Sequence, residues 1–263
     1  MAAVQPARAG AQGLGGRAGD YVRARPGYPA EVVALLEQHG LPRGATVADI
    51  GSGTGKLSQV FVAAGHHVVG IEPNDEMRAA AQALLGGEGR FRQQAGRSDA
   101  TGLPDASADA IVAGQAFHWF EPVATRREWV RILRPGGLVA LIWNDRRLAG
   151  CPLLAEYDRL LAEHCTEYGE ALRRSPAESA LAAFFAPGVM REARFDNRQR
   201  LDWEGYRQRA LSASYVAREG PAHDAFFAAL RASFERHATG SGPAAVAELL
   251  YDTRVFWGTL PPR

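Results

Sequence analysis

Three glycines at alternate positions, framed by two acids, are the residues of this chain best suited to hold a ligand. Asp49 precedes the run Gly51-Ser52-Gly53-Thr54-Gly55, and Glu72 follows it. Glycine lets backbone approach a ligand closely. Glu72 is placed to accept hydrogen bonds from two ribose hydroxyls. The elements that must position these residues are legible around them. Val47 to Ile50 is an apolar strand from which Asp49 points out, and Leu57 to Ala64 is a helix stopped by Gly65. His67 to Ile71 is a second apolar strand, with Glu72 at its C-terminal end. A strand–turn–helix–strand unit of this kind binds a nucleoside at the carboxyl ends of its strands.

Three cofactor classes use a glycine turn after the first strand. The phosphate-binding loop needs GxxxxGK followed by Ser or Thr. Here Gly55-Lys56 is followed by Leu57, and the position five before Gly55 is Ile50, so that loop is absent. The dinucleotide fingerprint needs a third small residue, and Lys56 stands there. The string Asp49-Ile50-Gly51-Ser52-Gly53-Thr54-Gly55 instead resembles the DxGxGxG of class I S-adenosylmethionine-dependent methyltransferases. The resemblance is strong over residues 20 to 145 and loose beyond them.

Further strings carry it. Gly96-Arg97-Ser98-Asp99-Ala100 resembles the segment whose acid, in that family, bonds the adenine amino group; Asp99 is shorter than the usual Glu, and a capped surface turn is the other reading. Ala110 to Phe120, AIVAGQAFHWF, reads as the fourth strand and its turn, with an HWF string found in relatives. Trp129 to Asn144 reads as a helix ending at Leu133-Arg134, a Pro135-Gly136-Gly137 turn, and a fifth strand from Leu138 to Trp143. Tyr21 to Pro29 contains an RPxYP string shared with close relatives, in which this segment folds over the cofactor. The resemblance therefore implies a small-molecule methyltransferase of an RPxYP and HWF subgroup. Its cofactor would be S-adenosylmethionine, with S-adenosylhomocysteine as product. The implied cofactor-binding residues are Asp49, Gly51, Gly53, Gly55, Glu72, Pro73, Ser98, Asp99, Gln115, Arg25 and Tyr21.

Composition narrows the field. A formal charge of +1 over 263 residues gives no electrostatic case for nucleic acid. Lys56 is the only lysine, against abundant Arg, Ala and Gly, a composition that suggests a GC-rich bacterial genome. Cys151 and Cys165 are the only cysteines and make neither a disulfide framework nor a zinc site. No apolar run approaches the roughly 18 residues of a membrane helix. Residues 1 to 19 lack a signal-peptide core and read as a disordered tail. A cytoplasmic protein, monomer or homodimer, is the expectation.

Along the chain, helices are expected at 30–39, 75–86, 151–168, 176–185, 203–212 and 221–237, and strands at 91–94, 191–202 and 251–257. Alternating strands and helices in the first half require a doubly wound parallel sheet. The resemblance implies the α/β fold with seven strands in the order 3-2-1-4-5-7-6, the last antiparallel. Residues 20–145 would be the cofactor-binding Rossmann-like core, 146–190 a helical lid, and 191–263 the strands and helices that complete the sheet.

Methyl transfer from a sulfonium is a displacement that needs alignment and exclusion of water, with a base required only for some acceptors. His118 is the candidate base, because an imidazole accepts a proton near neutral pH; anchoring of its own loop is the other reading. Gln115 could meet the methionine amino group or the acceptor. Arg25 either pairs with the methionine carboxylate or is solvated, and Tyr21 or Tyr28 could close the site. Tyr28, His118, Trp119, Asn144 and Tyr215 are the candidate acceptor-pocket residues, and Arg146 or Arg147 could receive an acidic acceptor. Asn144-Asp145 after the fifth strand lacks the partner acid of a magnesium site, so no metal is expected. The turn after strand four lacks the [DN]PP[YF] string of enzymes that methylate amines of bases. A small-molecule acceptor methylated on O or C is the leading reading; a non-methylating reaction assisted by the same cofactor, a cyclisation or decarboxylation, is the alternative.

Overall fold

Strands β1 (Thr46–Ile50) and β2 (His67–Ile71) are buried beyond their first residues. Continuous apolar strands are covered on both faces, as parallel sheets require. The computed structural model describes residues 24–173 and 176–261. It joins β1 and β2 with β3 (Phe91–Gln94), β4 (Ala108–Gly114), β5 (Leu133–Arg146), β6 (Arg191–Leu201) and β7 (Ala247–Thr259). The sheet order is β3-β2-β1-β4-β5-β7-β6, and β7 runs antiparallel to both neighbours. The expected topology is the observed one.

Alternate residues of each strand face opposite layers. On one face Val47, Val68, Ala110, Val112 and Ile142 meet α1 (Glu31–Gln38), α2 (Lys56–Ala63) and α3 (Asp75–Leu85) through Leu36, Phe61 and Leu85. On the other, Ala48, Ile50, Val69, Ile111 and Leu141 meet α4 (Pro122–Ile132) and α7 (Glu178–Phe185) through Trp129, Phe184 and Phe185. Side-chain caps start the helices where the chain leaves the sheet. Asn74 accepts from Met77 N at 3.0 Å, and Glu121 accepts from Val123 N at 3.1 Å and Ala124 N at 2.6 Å. Such caps satisfy donors that an α-helix leaves open.

A third apolar cluster lies apart from the sheet faces. It joins α5 (Pro152–His164), α6 (Tyr168–Arg173), α8 (Trp203–Leu211) and α9 (Pro221–His237) to the start of β7, at Ala247, Leu249 and Tyr251. Leu153, Leu154, Tyr157, Leu160 and Leu161 of α5 meet Phe226, Leu230 and Phe234 of α9. This revises the expected lid of residues 146–190. Its last helix, α7, belongs to the sheet, where Phe184 stacks edge-on against Trp129 with ring centres 5.4 Å apart. Arg126 of α4 fixes that docking by donating to the carbonyls of Phe184 and Ala186, both at 2.9 Å. The cap is instead α5 and α6 with helices from beyond β6. The Arg134-Pro135-Gly136-Gly137 turn also differs from expectation. β5 already pairs at Leu133 with Ala108 and resumes at Leu138 with Ala110, so the segment is a bulge within the strand. No described helix is long and apolar enough to cross a membrane.

Residues 24–29 form a strap across the C-terminal side of the sheet. The Asn144 amide donates to Gly27 O at 3.1 Å, and Asn197 donates to the same carbonyl at 2.9 Å. Gln199 donates to Ala24 O at 3.0 Å, and Arg25 to Ser212 O at 3.2 Å. Asn144 Oδ1 accepts from Thr253 and, at 3.1 Å, from Asn197. Asn144 is only 8 % exposed, so its removal would leave buried partners unpaired. Tyr21 and the tail of residues 1–19 lie outside the described residues. Asn144→Ala should destabilise the chain by about 1–3 kcal/mol in denaturant unfolding and open the strap to proteolysis near residue 27; unaltered cleavage would show that other bonds hold it.

Candidate active site

The glycine turn is fastened to the end of β2. Gly51 N and Ser52 N both donate to Ile71 O, at 2.8 and 3.2 Å. Gly51 has a φ of 70°, and a Cβ there would stand 2.7 Å from Ala116 Cβ. At Gly53, with a φ of 53°, a Cβ would meet nothing within 4 Å. The first glycine is needed for close packing, whereas the second opens onto free space. Glu72 Oε2 accepts from Gly53 N at 3.1 Å and Oε1 from Asn74 N at 2.9 Å. Each oxygen keeps a lone pair for a further donor. The turn, its open space and this carboxylate therefore fit a ribose diol. Burial raises the Glu72 carboxyl, opposed by its two backbone bonds and Arg78.

Asp49 stands behind the turn, fully buried. Its Oδ2 accepts from the Ser58 hydroxyl at 2.7 Å, while Oδ1 has no hydrogen-bond partner. Burial pushes its carboxyl up to about 7, against the Ser58 bonds, and the Glu72 charge adds to the rise. Asp49 thus braces α2 from beneath. Asp99 accepts both Nε and Nη2 of Arg97, each at 3.0 Å, within a turn closed by Arg97 N to Ala100 O at 3.1 Å. Asp99 is half-buried, with both carboxylate oxygens engaged by Arg97. The Ser98 hydroxyl meets Thr125 at 2.9 Å, and Pro73 is exposed beside Glu72.

Gln115 ends β4 with a φ of 55°, a conformation that costs a non-glycine residue roughly 1–3 kcal/mol. Two bonds to β5 hold it there: its N to Ile142 O at 2.9 Å, and its side-chain amide to Asn144 O at 3.1 Å. Tyr28 lies over Gly114, where a Cβ would stand 2.5 Å from the Tyr28 hydroxyl. Between these groups opens a cleft of about 340 Å³. The strap supplies Arg25, Pro26 and Tyr28, and α2 supplies Lys56. Gln115 and the end of β5, Asn144 to Arg146, form its floor, and Leu148, Asp158, Arg209 and Tyr215 its far wall.

Six sequence-derived candidates thus converge on one cleft: Arg25, Tyr28, Gln115, Asn144, Arg146 and Tyr215. His118 and Trp119 do not line it. They occupy a short 3-10 turn, Phe117–Trp119, with their rings 4.8 Å apart. Arg146 and Arg147 also part company: Arg146 lines the cleft, and Arg147 pairs with Asp196 and Asp252. Sequence reasoning missed Lys56, Asp158 and Arg209. Arg209 had a signal, because it shares a helical face with Tyr206, Ala210 and Ala213, all buried. Among the described residues no group of three or more His, Cys, Asp or Glu side chains could hold a metal ion.

Residues 48–141 match the methyltransferase domain family. The match contains the glycine turn, Glu72, Asp99 and Gln115, and stops short of Asn144 and the far wall. An uncharacterized methyltransferase of Mycobacterium tuberculosis (strain ATCC 25618 / H37Rv) is 39 % identical over 134 residues, 51 % of this chain and 52 % of that protein. One from Schizosaccharomyces pombe is 32 % identical over 129 residues, 48 % of this chain and 50 % of the relative. The chain spans about half the length of the curated relatives it matches. A solved structure of a candidate methyltransferase from an antibiotic biosynthesis pathway of Anabaena variabilis superposes with a TM-score of 0.62 at 21 % identity, covering 90 % of this chain and 99 % of that one. A candidate type II methyltransferase from Anaeromyxobacter dehalogenans gives 0.60 at 20 % identity, covering 91 % and 99 %. These structures share the fold. The domain match assigns residues 48–141 to a methyltransferase domain.

The buried acid makes stability depend on pH in a defined direction. The Asp49 carboxyl rises from its ordinary 3.8 to about 7 in the folded chain. Folding therefore takes up a proton between those values, and stability falls as pH rises through that window. Asp49→Asn is uncharged throughout and lacks this fall. In denaturant unfolding the unmodified chain should lose stability relative to Asp49→Asn from pH 3.8 to about 7, with a flat difference above. Parallel curves would mean that Asp49 stays charged in the fold.

Proposed function

We propose that this chain is an S-adenosylmethionine-dependent methyltransferase acting on a small molecule, by O- or C-methylation. The observation that carries the reading is the paired arrangement at the end of β2. The open glycine turn stands over the Glu72 carboxylate, and the cleft begins at Gln115 on the neighbouring side of β4. A cleft of about 340 Å³ suits a small acceptor. The formal charge of +1 gives no field to gather nucleic acid.

When bound, S-adenosylmethionine supplies a methyl group already activated by its positive sulfur. Glu72 takes the ribose hydroxyls, while Asp99 and Ser98 border the adenine. Arg25 and Gln115 meet the methionine end, where the rigid Gln115 backbone fixes their direction. Tyr28, Asn144 and Tyr215 belong to the acceptor side, and the strap of residues 24–29 lines one side of the cleft. Orientation of this kind lowers a barrier by roughly 7–11 kcal/mol. His118 lies outside the cleft lining, so the arrangement favours an acceptor that is already nucleophilic, such as a carboxylate, over one that needs this imidazole as base.

Isothermal titration with S-adenosylmethionine and S-adenosylhomocysteine tests the reading. Both should bind, and Glu72→Ala should weaken them by about 1.5–3 kcal/mol, the range for a hydrogen bond to a charged group. Unchanged affinity would remove Glu72 from the ribose site, and no binding by the unmodified chain would overturn the methyltransferase reading.

A further inference from the structure

The far wall of the cleft carries more positive charge than the protein neutralises. Arg209 of α8 is 6 % exposed. Its Nε reaches the Tyr251 hydroxyl at 3.4 Å, its Nη1 is buried without a hydrogen-bond partner, and no ion pair to it occurs among the described residues. Arg146, at the end of β5, has a side chain 14 % exposed. It lies over the rings of Tyr157 and Tyr168, with 5.3 and 5.5 Å to their centres. Its Nη2 donates to Tyr168 and, at 3.2 Å, to Asp158, while its Nη1 is also buried and unpartnered. Among the described residues, Asp158 is the one carboxylate paired with either arginine.

The imbalance extends through the cleft. Arg25, Lys56, Arg146 and Arg209 line it, against Asp145 and Asp158, and Asp145 already has Arg254 at 3.8 Å. A chain of net charge +1 concentrates cations here. Burying a guanidinium without an acceptor is costly. The cost is recovered when an anion enters, since planar guanidinium groups bind carboxylate and phosphate oxygens with paired, charge-assisted bonds. Arg147, one residue away, shows the contrast: it meets two acids of the protein itself.

We propose that Arg146 and Arg209 form an anion site that anchors an acidic acceptor, through a carboxylate or phosphate group, in the cleft. This rests on the methyltransferase reading and names the class of its acceptor. The test uses protein saturated with S-adenosylhomocysteine, melted in the presence of glutarate, inorganic phosphate or neutral glutaramide. Glutarate or phosphate should raise the melting temperature and glutaramide should not; whichever acts identifies the anchoring group. Arg209→Gln should bind the active anion roughly ten- to a hundredfold more weakly, the equivalent of one charge-assisted bond, and Arg209→Lys should restore part of the shift. Titration of S-adenosylhomocysteine into each protein reports whether fold and donor site persist. Equal shifts from glutarate and glutaramide, no shift from either anion, or a full anion response in both Arg209→Gln and Arg146→Gln would overturn the proposal. Failure of the unmodified chain to bind S-adenosylhomocysteine would instead overturn the underlying methyltransferase reading.

Discussion

The Ile71 carbonyl and the Glu72 carboxylate hold the glycine turn, and the ligand site depends on that hold. A turn with left-handed glycines has few side chains to pack, so its shape must come from hydrogen bonds. Ile71 O takes two donors from the turn and Glu72 takes a third. The same carboxylate therefore shapes the turn and would offer its remaining lone pairs to a ribose in the proposed site. Asp49 works from behind through Ser58, at the start of α2. Burial raises the proton affinity of Asp49, and the Glu72 charge adds to it, a strain on stability that the site retains.

Neutral groups do the corresponding work on the other side of the cleft. The strap of residues 24–29 is fixed by the amides of Asn144, Asn197 and Gln199, which donate to backbone carbonyls. Amides satisfy such carbonyls without the desolvation cost of a charge. Asn144 is the junction, since it also supports Thr253 and, through its own carbonyl, Gln115. The strap, the end of β5 and the strained residue after β4 are thus joined by one set of hydrogen bonds.

Local patterns in the sequence reveal the donor half of this arrangement. Asp49, the alternate glycines and Glu72 lie within one strand–turn–helix–strand unit, so their spacing alone places them together. Helix 221–237 is likewise legible from its apolar period and matches Pro221–His237. What the pattern hides is which element each face meets. Helix α7 has an apolar face like α5, yet Phe184 finds Trp129 while Leu154 finds the partners of α9. The bulge at Pro135-Gly136-Gly137 depends on pairing with Ala108, which no local rule reveals. His118 follows β4 as a base would, but the 3-10 turn carries it away from the cleft. Arg209 sits in the apolar period of its own helix, where a charge reads as an exception until Tyr251 of β7 is brought against it.

The two halves of the cleft also rest on different cores. The turn, Glu72 and Gln115 stand on strands packed between the two sheet layers. Asp158 and Arg209 stand on α5 and α8, whose apolar faces belong to the third cluster. The domain match ends at residue 141, close to this division. Side chains on the cap therefore pack in a different cluster from the strands that carry the glycine turn and Glu72. The cap still meets the sheet at Arg146, the last residue of β5, where a guanidinium lies between tyrosines of α5 and α6. A charge at that junction ties the geometry of the acceptor wall to the strand that ends beside Gln115, so an anion bound there would be held at a fixed distance from the donor side.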